Sequence, residues 1–279
     1  MIKVAFVSDW GSTPEQLLGT YKKQTPNNSG KWNKIVGIKD PCEADLIIAL
    51  GRGHDIYYER FASKKIIQFR REPDFIRPFS PLLISDRIYD YTDSTFHVVT
   101  WKIDKSFSDL VADNYPDKDK KISCIVTDKY KNRIDAVRGY EAIQPHKMDV
   151  FGRFFKPGSK NGINYKGQVF DKSKAYDSYE YTLVMENSQQ RNYWTEKIVD
   201  AVLSWSVPIY WGCPNISEYF PENSYYVVDL SRPEDIEEIL KKPIEKENID
   251  ALKEARNLIL YKYNIWATIE REAYEFGIL

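Results

Sequence analysis

The sequence is poor in the residues that build metal and disulfide scaffolds: 279 residues hold three Cys, three His and three Met. Cys42, Cys124 and Cys213 are odd in number and far apart, which argues against a disulfide framework and against a CxxC metal site. Cys124 lies inside an apolar run and is expected in a core, and cysteine this sparse suits a reducing compartment. His54, His97 and His146 stand alone, with no His-Glu-x-x-His array, so no zinc site is expected and each reads as a packed or surface residue. Charge of one sign is missing too. Lys+Arg number 40 and Asp+Glu 41, leaving −1, so no global field would hold a nucleic acid or an anionic membrane; only a local basic patch stays open. No apolar run approaches the ~18 residues of a membrane span. The best, 44–50, is strand-sized. Met1 leads directly into the apolar run 3–8, with no signal-peptide pattern and no anchor, so the expectation is a soluble, cytoplasmic protein without a membrane partner.

What is present is a globular α/β pattern. Hydrophobic residues make up 42%, which supplies a core and excludes a disordered chain. Aromatics reach 14%, with 20 Tyr and 7 Trp; such rings suit sugars and bases but build cores as well. The length favours two domains over one. Strands are predicted at 3–8, 34–38, 44–50, 64–70 and 96–101. Ser12-Thr13-Pro14-Glu15 reads as a helix start. The polar, turn-rich stretch 115–121 is the best boundary, giving domains 1–116 and 117–279, with the terminal helix free to pack back on the first. A second series follows: strands at 122–127, 147–151, 181–185, 207–211 and 225–230, and helices at 132–143, 195–205 and after Arg232. In the 195–205 helix, Ile198, Ala201, Val202 and Trp205 form one apolar face. The tail 247–276 reads as helical throughout. Short apolar strands alternating with helices imply mostly parallel sheets.

The chemistry concentrates in 181–197, which reads as strand, polar loop, helix start. Such a junction turns free backbone N–H groups and the positive end of a helix dipole toward a ligand, and a phosphate suits it. Lys197 would add a point charge to a diphosphate, and Glu196 would accept hydrogen bonds from ribose or sugar hydroxyls. On spacing alone, a capped helix with Glu196 and Lys197 in solvent is the simpler account of the pattern.

Three blocks in order, Glu186-Asn187-Ser188, Tyr193-Trp194-Thr195-Glu196-Lys197-Ile198 and Val207-Pro208-Ile209-Tyr210-Trp211-Gly212, resemble the signature of the α-1,3-fucosyltransferase family, glycosyltransferase family 10. Similarity extends to 123–128, to the helix bearing Arg133, and to Asp149-Val150-Phe151-Gly152-Arg153; it covers about 121–230. The resemblance implies a GT-B-like α/β fold, two Rossmann-like domains with mostly parallel sheets facing a cleft. The first half would be the acceptor side and the second would bind the nucleotide sugar. It implies an inverting enzyme that moves fucose from GDP-fucose to a glycan hydroxyl, of soluble bacterial or viral type. Two alternatives stay open: the same fold with another GDP-sugar, and a non-catalytic glycan- or nucleotide-binding module.

By the same resemblance Asn187, Tyr193, Glu196 and Lys197 contact the donor, and an arginine of the preceding helix contacts the diphosphate. Arg133 is the better match and Arg138 the alternative. The general base would be a Glu at the end of an N-terminal strand shortly before Pro. Glu72, in Arg70-Arg71-Glu72-Pro73, fits, although the family has Glu-Ser-Pro; Asp74 and Glu59 are fallbacks. An ion pair with Arg70 or Arg71 competes with that role and would lower the basicity of Glu72. No cofactor is expected, and a divalent metal would be inessential, because basic residues take the leaving-group charge.

The other signals are weaker. Asp117-Lys118-Asp119 matches an Asp-x-Asp metal pattern but sits in a lysine-rich linker, where a solvated loop is expected. Gly51-Arg52-Gly53-His54 lacks the spacing of a dinucleotide loop and reads as a loop on the acceptor side. The rings at 193, 194, 210 and 211 are candidates for stacking on guanine or sugar, with Trp205 and Trp211 better suited to the core. The stretch 156–174 is basic and pattern-free, a surface loop or a flap over the donor.

Overall fold

The computed structural model describes residues 1–8, 11–51, 61, 63–69, 87–89, 99–156, 158 and 160–279. Two compact units emerge. The first takes Met1–Thr100, Lys105–Asp113 and Leu260–Leu279; the second takes Trp101–Asp104 and Asn114–Ile259.

The first unit is built on β1 (Ile2–Ser8), β2 (Lys31–Trp32), β3 (Ile35–Gly37), β4 (Leu46–Leu50), β5 (Lys65–Phe69) and β6 (Arg87–Tyr89). Their order in the sheet is β2-β3-β1-β4-β5-β6, parallel except for the β2–β3 pair. Val4, Ala5, Phe6 and all of Leu46–Leu50 are fully buried, as parallel strands covered on both faces require. Helix α1 (Pro14–Tyr21) starts one residue later than its Ser12…Glu15 pattern predicted. Thr13 is the cap, paired reciprocally with Gln16, because Pro14 occupies the first helical position, where its missing N–H costs nothing. The C-terminal helix Ile265–Glu275 belongs to this unit: the Trp266 ring meets Phe6 edge-on at 5.4 Å and its Nε1 donates to Tyr21 O at 2.8 Å.

The tail is helical with an interruption. A helix over Lys246–Asn257 passes into a π-helical stretch, Leu258–Tyr263, and breaks at Asn264. The Asn264 side chain accepts from Trp266 N at 3.0 Å and donates to Gln24 O at 2.9 Å. The boundary between the units falls within that π stretch. Of the strand predicted at 96–101, residues 96–98 lie outside the described residues and Val99 forms a bridge to Asn264; the strand predicted at 225–230 is shorter than expected, reduced to Tyr226–Val227.

The second unit holds β7 (Lys120–Ile125), β8 (Asp149–Phe151), β9 (Tyr165–Gly167), β10 (Tyr179–Met185), β11 (Val207–Trp211) and β12 (Tyr226–Val227). Their order is β12-β11-β10-β7-β8-β9, and every pair is parallel. The chain leaves β7 on one side to form β8 and β9, then returns on the other side to form β10. The topological switch therefore lies between β7 and β10, the position at which doubly wound sheets bind ligands outside their carboxyl ends. Cys124 packs there in the core, fully buried, and burial pushes its thiol pKa up to about 12 despite the opposing pull of Arg133.

The predicted surface loop 156–174 is more structured than its composition suggested: it contributes β9 and ends in a 3-10 turn over Lys172–Ala175. The linker around Lys118 is anchored rather than solvated. Its Nζ donates to Asp177 O at 2.7 Å and to Ser204 O at 2.8 Å, while Asp117 and Asp119 are exposed.

Candidate active site

A cavity of about 190 Å³ opens in the second unit. Its wall is made by residues that directly follow strands: Val126 and Thr127 after β7, Gly152 and Arg153 after β8, Gln168 and Val169 after β9. Because the strands are parallel, these positions share one end of the sheet, the carboxyl end. Gly152 is required by that convergence. Its φ is +139°, and a Cβ there would stand 1.8 Å from Val126 O.

Helix α2 (Lys131–Ile143) supplies Arg133 from its first turn. The side chain is 5% exposed. Its Nη1 donates to Met185 O at 3.2 Å, at the end of β10, and to Asn187 Oδ1 at 3.1 Å. The guanidinium lies 4.7 Å from the centre of the Tyr130 ring. Its Nε is buried with no hydrogen-bond partner among the described residues, as is Thr127 Oγ1. Burial lowers the pKa of Arg133, with Glu186 among the charges acting in the opposite direction. Arg138 is exposed and does not line the cavity.

Helix α3 (Glu196–Leu203) brings Glu196 and Lys197. Its cap is a double arrangement. Thr195 Oγ1 accepts from Lys197 N at 3.4 Å, and the Thr195 N–H and hydroxyl donate to the two oxygens of Glu186 at 2.8 and 2.7 Å. Glu186 is fully buried, so the Glu of Glu186-Asn187-Ser188 is a strut under the helix start. Gly212 makes room for it: a Cβ at 212 would meet Glu186 Cγ at 2.6 Å. The helix end expected to dock a phosphate is thus already bonded in part to a carboxylate of the chain itself.

Lys197 and Lys172, a residue of the basic stretch 156–174, complete a row of alternating charge. Asp200 Oδ2 lies 3.0 Å from Lys172 Nζ, and Lys172 Nζ lies 3.7 Å from Glu196 Oε1. The same Glu196 oxygen is 3.6 Å from Lys197 Nζ, which is 3.3 Å from Glu186 Oε2. Asp200 and Glu186 are fully buried behind the row, whereas Lys172, Glu196 and Lys197 line the cavity. Burial acts to lower both lysine pKa values, but Asp200 with Glu196, and Glu186 with Glu196, carry them above the ordinary value. Burial pushes Asp200 up to about 6 against the pull of Lys172.

Asn187 and Tyr193 stand one step back from the wall. Asn187 holds Arg133, and its Nδ2 lies 3.5 Å from the Tyr193 hydroxyl. Tyr193, Trp194 and Tyr210 are buried at 3%, 4% and 0% exposure, so these rings pack in the core instead of offering faces for stacking. Trp194 meets Phe220 at 5.0 Å and Tyr219 at 5.5 Å. Trp205 is buried under the Arg256 guanidinium at 4.2 Å. Glu72, the candidate base, lies outside the described residues, as do Asp74, Glu59, Arg70, Arg71, Arg52, Gly53, His54 and His97. Among the described residues, no group of three or more His, Cys, Asp or Glu could hold a metal, and no helix is long and apolar enough to cross a membrane.

Among the described residues, four cationic side chains (Arg133, Arg153, Lys172, Lys197) face this cavity against one carboxylate, an arrangement that suits a polyanionic ligand. The fold is that of the GT-B glycosyltransferases, with two Rossmann-like sheets. Solved structures share it: a DNA-modifying β-glucosyltransferase, with TM-score 0.58 at 12% identity over 98% of this chain and 100% of the other, and an α1,3-fucosyltransferase, with TM-score 0.51 at 19% identity over 94% and 82%. Within that class, residues 115–249 match the family described as glycosyltransferase family 10 (fucosyltransferase), C-terminal part. Curated relatives agree over shorter stretches. An α-(1,3)-fucosyltransferase of Helicobacter pylori is 38% identical over 66 residues, 24% of this chain and 13% of that protein. A 3-galactosyl-N-acetylglucosaminide 4-α-L-fucosyltransferase of Bos taurus is 28% identical over 132 residues, 46% and 33%. The chain thus matches a third or less of the length of these curated relatives.

Proposed function

We propose that the protein is an inverting glycosyltransferase that moves fucose from GDP-fucose to a hydroxyl of a glycan. The observation that carries this reading is the convergence of Arg133, Lys172 and Lys197 at the switch point of the second sheet, inside the stretch that matches the fucosyltransferase family. Departure of GDP places negative charge on the β-phosphate, and a buried guanidinium whose Nε has no partner among the described residues, with two lysines, would stabilise it. Glu196 would accept from donor hydroxyls. Arg133 takes the diphosphate role, since Arg138 faces solvent. Asn187 and Tyr193 act behind Arg133, setting its position. Glu72 takes the proton from the acceptor hydroxyl, on the face opposite the leaving group.

The test is a binding panel followed by transfer. A ligand that binds only the folded state raises the melting temperature. GDP and GDP-fucose should raise it, and UDP-glucose and UDP-galactose should leave it unchanged. A larger shift with GDP-mannose than with GDP-fucose would keep the transferase and discard the sugar. Lys197→Ala should lose most of the GDP shift. Glu72→Ala should keep that shift and lose transfer to a glycan acceptor; transfer at the wild-type rate would remove Glu72 from the role of base.

A further inference from the structure

We propose that Lys172 is a positioning residue for the donor: together with Asp200 it sets the carboxylate of Glu196 from the side opposite Lys197. The inference rests on the donor reading of this cavity.

The geometry begins with Asp200. This acid sits in the middle of an apolar helix sequence, Ile198-Val199-Asp200-Ala201-Val202, and is fully buried. A buried carboxylate needs hydrogen bonds and a counterion. It accepts from the backbone N–H of Lys102 at 2.7 Å and from Lys172 Nζ at 3.0 Å. Lys172 is itself held from below. Asp171 accepts from Ser173 N at 3.0 Å and from the Ser173 hydroxyl at 2.6 Å, fixing the 3-10 turn that carries the lysine. Asp171 also accepts from Asp104 N at 3.2 Å, so the 101–104 segment braces both acids.

The ammonium therefore has a rigid rear partner, and its forward contact is Glu196 Oε1 at 3.7 Å. Lys197 addresses the same oxygen at 3.6 Å from its own rear partner, Glu186. Two lysines, each tied to a buried acid, thus grip one oxygen of Glu196. Without Lys172, Glu196 is drawn toward Lys197. The carboxylate then moves from the donor hydroxyls, and Lys197 is engaged by two acids instead of by phosphate. Both effects weaken ground-state binding of the donor, so the change belongs in KM more than in kcat.

The experiment compares the full-length wild type with Lys172→Met, Lys172→Arg and the double variant Lys172→Met/Asp200→Asn. The double variant removes the acid along with its cation, so no buried charge is left uncompensated and folding is preserved. Loss of one charge-assisted contact predicts a rise of about tenfold in KM for GDP-fucose in Lys172→Met and in the double variant, with kcat within about threefold of wild type. The double variant should melt within a few degrees of wild type. Lys172→Arg, whose guanidinium reaches both acids, should return KM to within about threefold. A double variant with wild-type KM overturns the proposal. So does a loss confined to kcat, or a loss that tracks melting temperature and is not rescued by arginine. Wild-type protein that binds neither GDP nor GDP-fucose would overturn the donor reading and this role with it; wild-type binding that all three variants match overturns the role of Lys172 alone.

Discussion

Arg133 occupies a site where a guanidinium and an ammonium differ most. One nitrogen already bonds Met185 O and Asn187 Oδ1, the plane faces Tyr130, and Nε is still unpaired among the described residues. A lysine has one nitrogen for all of this. Arg133→Lys should weaken GDP binding by about 100-fold with little change in melting temperature. Calorimetric titration checks it, and an affinity within threefold of wild type would refute the assignment. The choice between Arg133 and Arg138 was legible from the sequence: Arg133 shares a stripe with Ala136, Val137 and Tyr140 at i+3, i+4 and i+7, whereas Arg138 lies about 140° away around the helix. Asp200 offered a second unread signal, an acid in an apolar helix face that demands a buried cation. That the cation would be Lys172 was not readable, because 28 residues and the whole of strand β10 separate the two in sequence, beyond any local pattern. Asp200 also has a pH signature. Burial holds its folded pKa at about 6, above the ordinary aspartate value, so its neutral form stabilises the fold; that contribution is complete below about pH 4 and lost as pH rises through 6. Lys172, Glu196, Tyr176 and the Lys102 N–H are the groups that face it. Asp200→Asn should therefore gain stability relative to wild type between pH 4 and pH 7, read from urea melts at both ends; an equal difference at the two pH values would show that Asp200 does not titrate there.

At the scale of elements, the cavity depends on how closely two strand ends approach. Val126 N bonds Phe151 O at 2.9 Å, and Gly152 follows with the backbone of Val126 against the place a side chain would take. Gly152→Ala combines a positive φ with a clash against a carbonyl that has no room to yield. It should cost about 2–4 kcal/mol and weaken GDP binding as β7 and β8 separate. A chemical melt within 0.5 kcal/mol of wild type would show that this approach is not tight. Strand identity was legible wherever burial on both faces leaves an unbroken apolar run, as in 44–50 and 207–211, the latter matching β11 residue for residue. Where an element depends on tertiary pairing, periodicity carried no signal. The three-residue β9 exists because it bonds β8, and nothing in Tyr165-Lys166-Gly167 announces a strand. The rings of 193–194 misled for a related reason. Aromatic chemistry is common to sugar platforms and cores, and burial against Tyr219 and Phe220 decided for the core.

Across the whole molecule, a chain of net charge −1 concentrates positive charge at one end of one sheet. That local excess bears on how the leaving group is neutralised. A divalent ion on a diphosphate needs free carboxylates beside it. Glu196, the single carboxylate of the cavity wall among the described residues, is gripped by Lys172 and Lys197, and the remaining acids of the row are buried behind those lysines. Asp117 and Asp119, the Asp-x-Asp pair, are not on the wall. A divalent cation entering here would meet like charge from Arg133, Arg153 and both lysines, at an energetic cost that grows as water is excluded. On the donor reading proposed above, the protein's own cations would take the charge that GDP develops on leaving, in the role a metal fills elsewhere. Fucosyl transfer measured in excess EDTA should proceed within about twofold of the untreated rate, whereas Lys197→Ala and Arg133→Lys should lose most of it under the same conditions. Activity abolished by EDTA and restored by magnesium or manganese would mean that these cations serve binding alone, and that carboxylates outside the described residues complete the site.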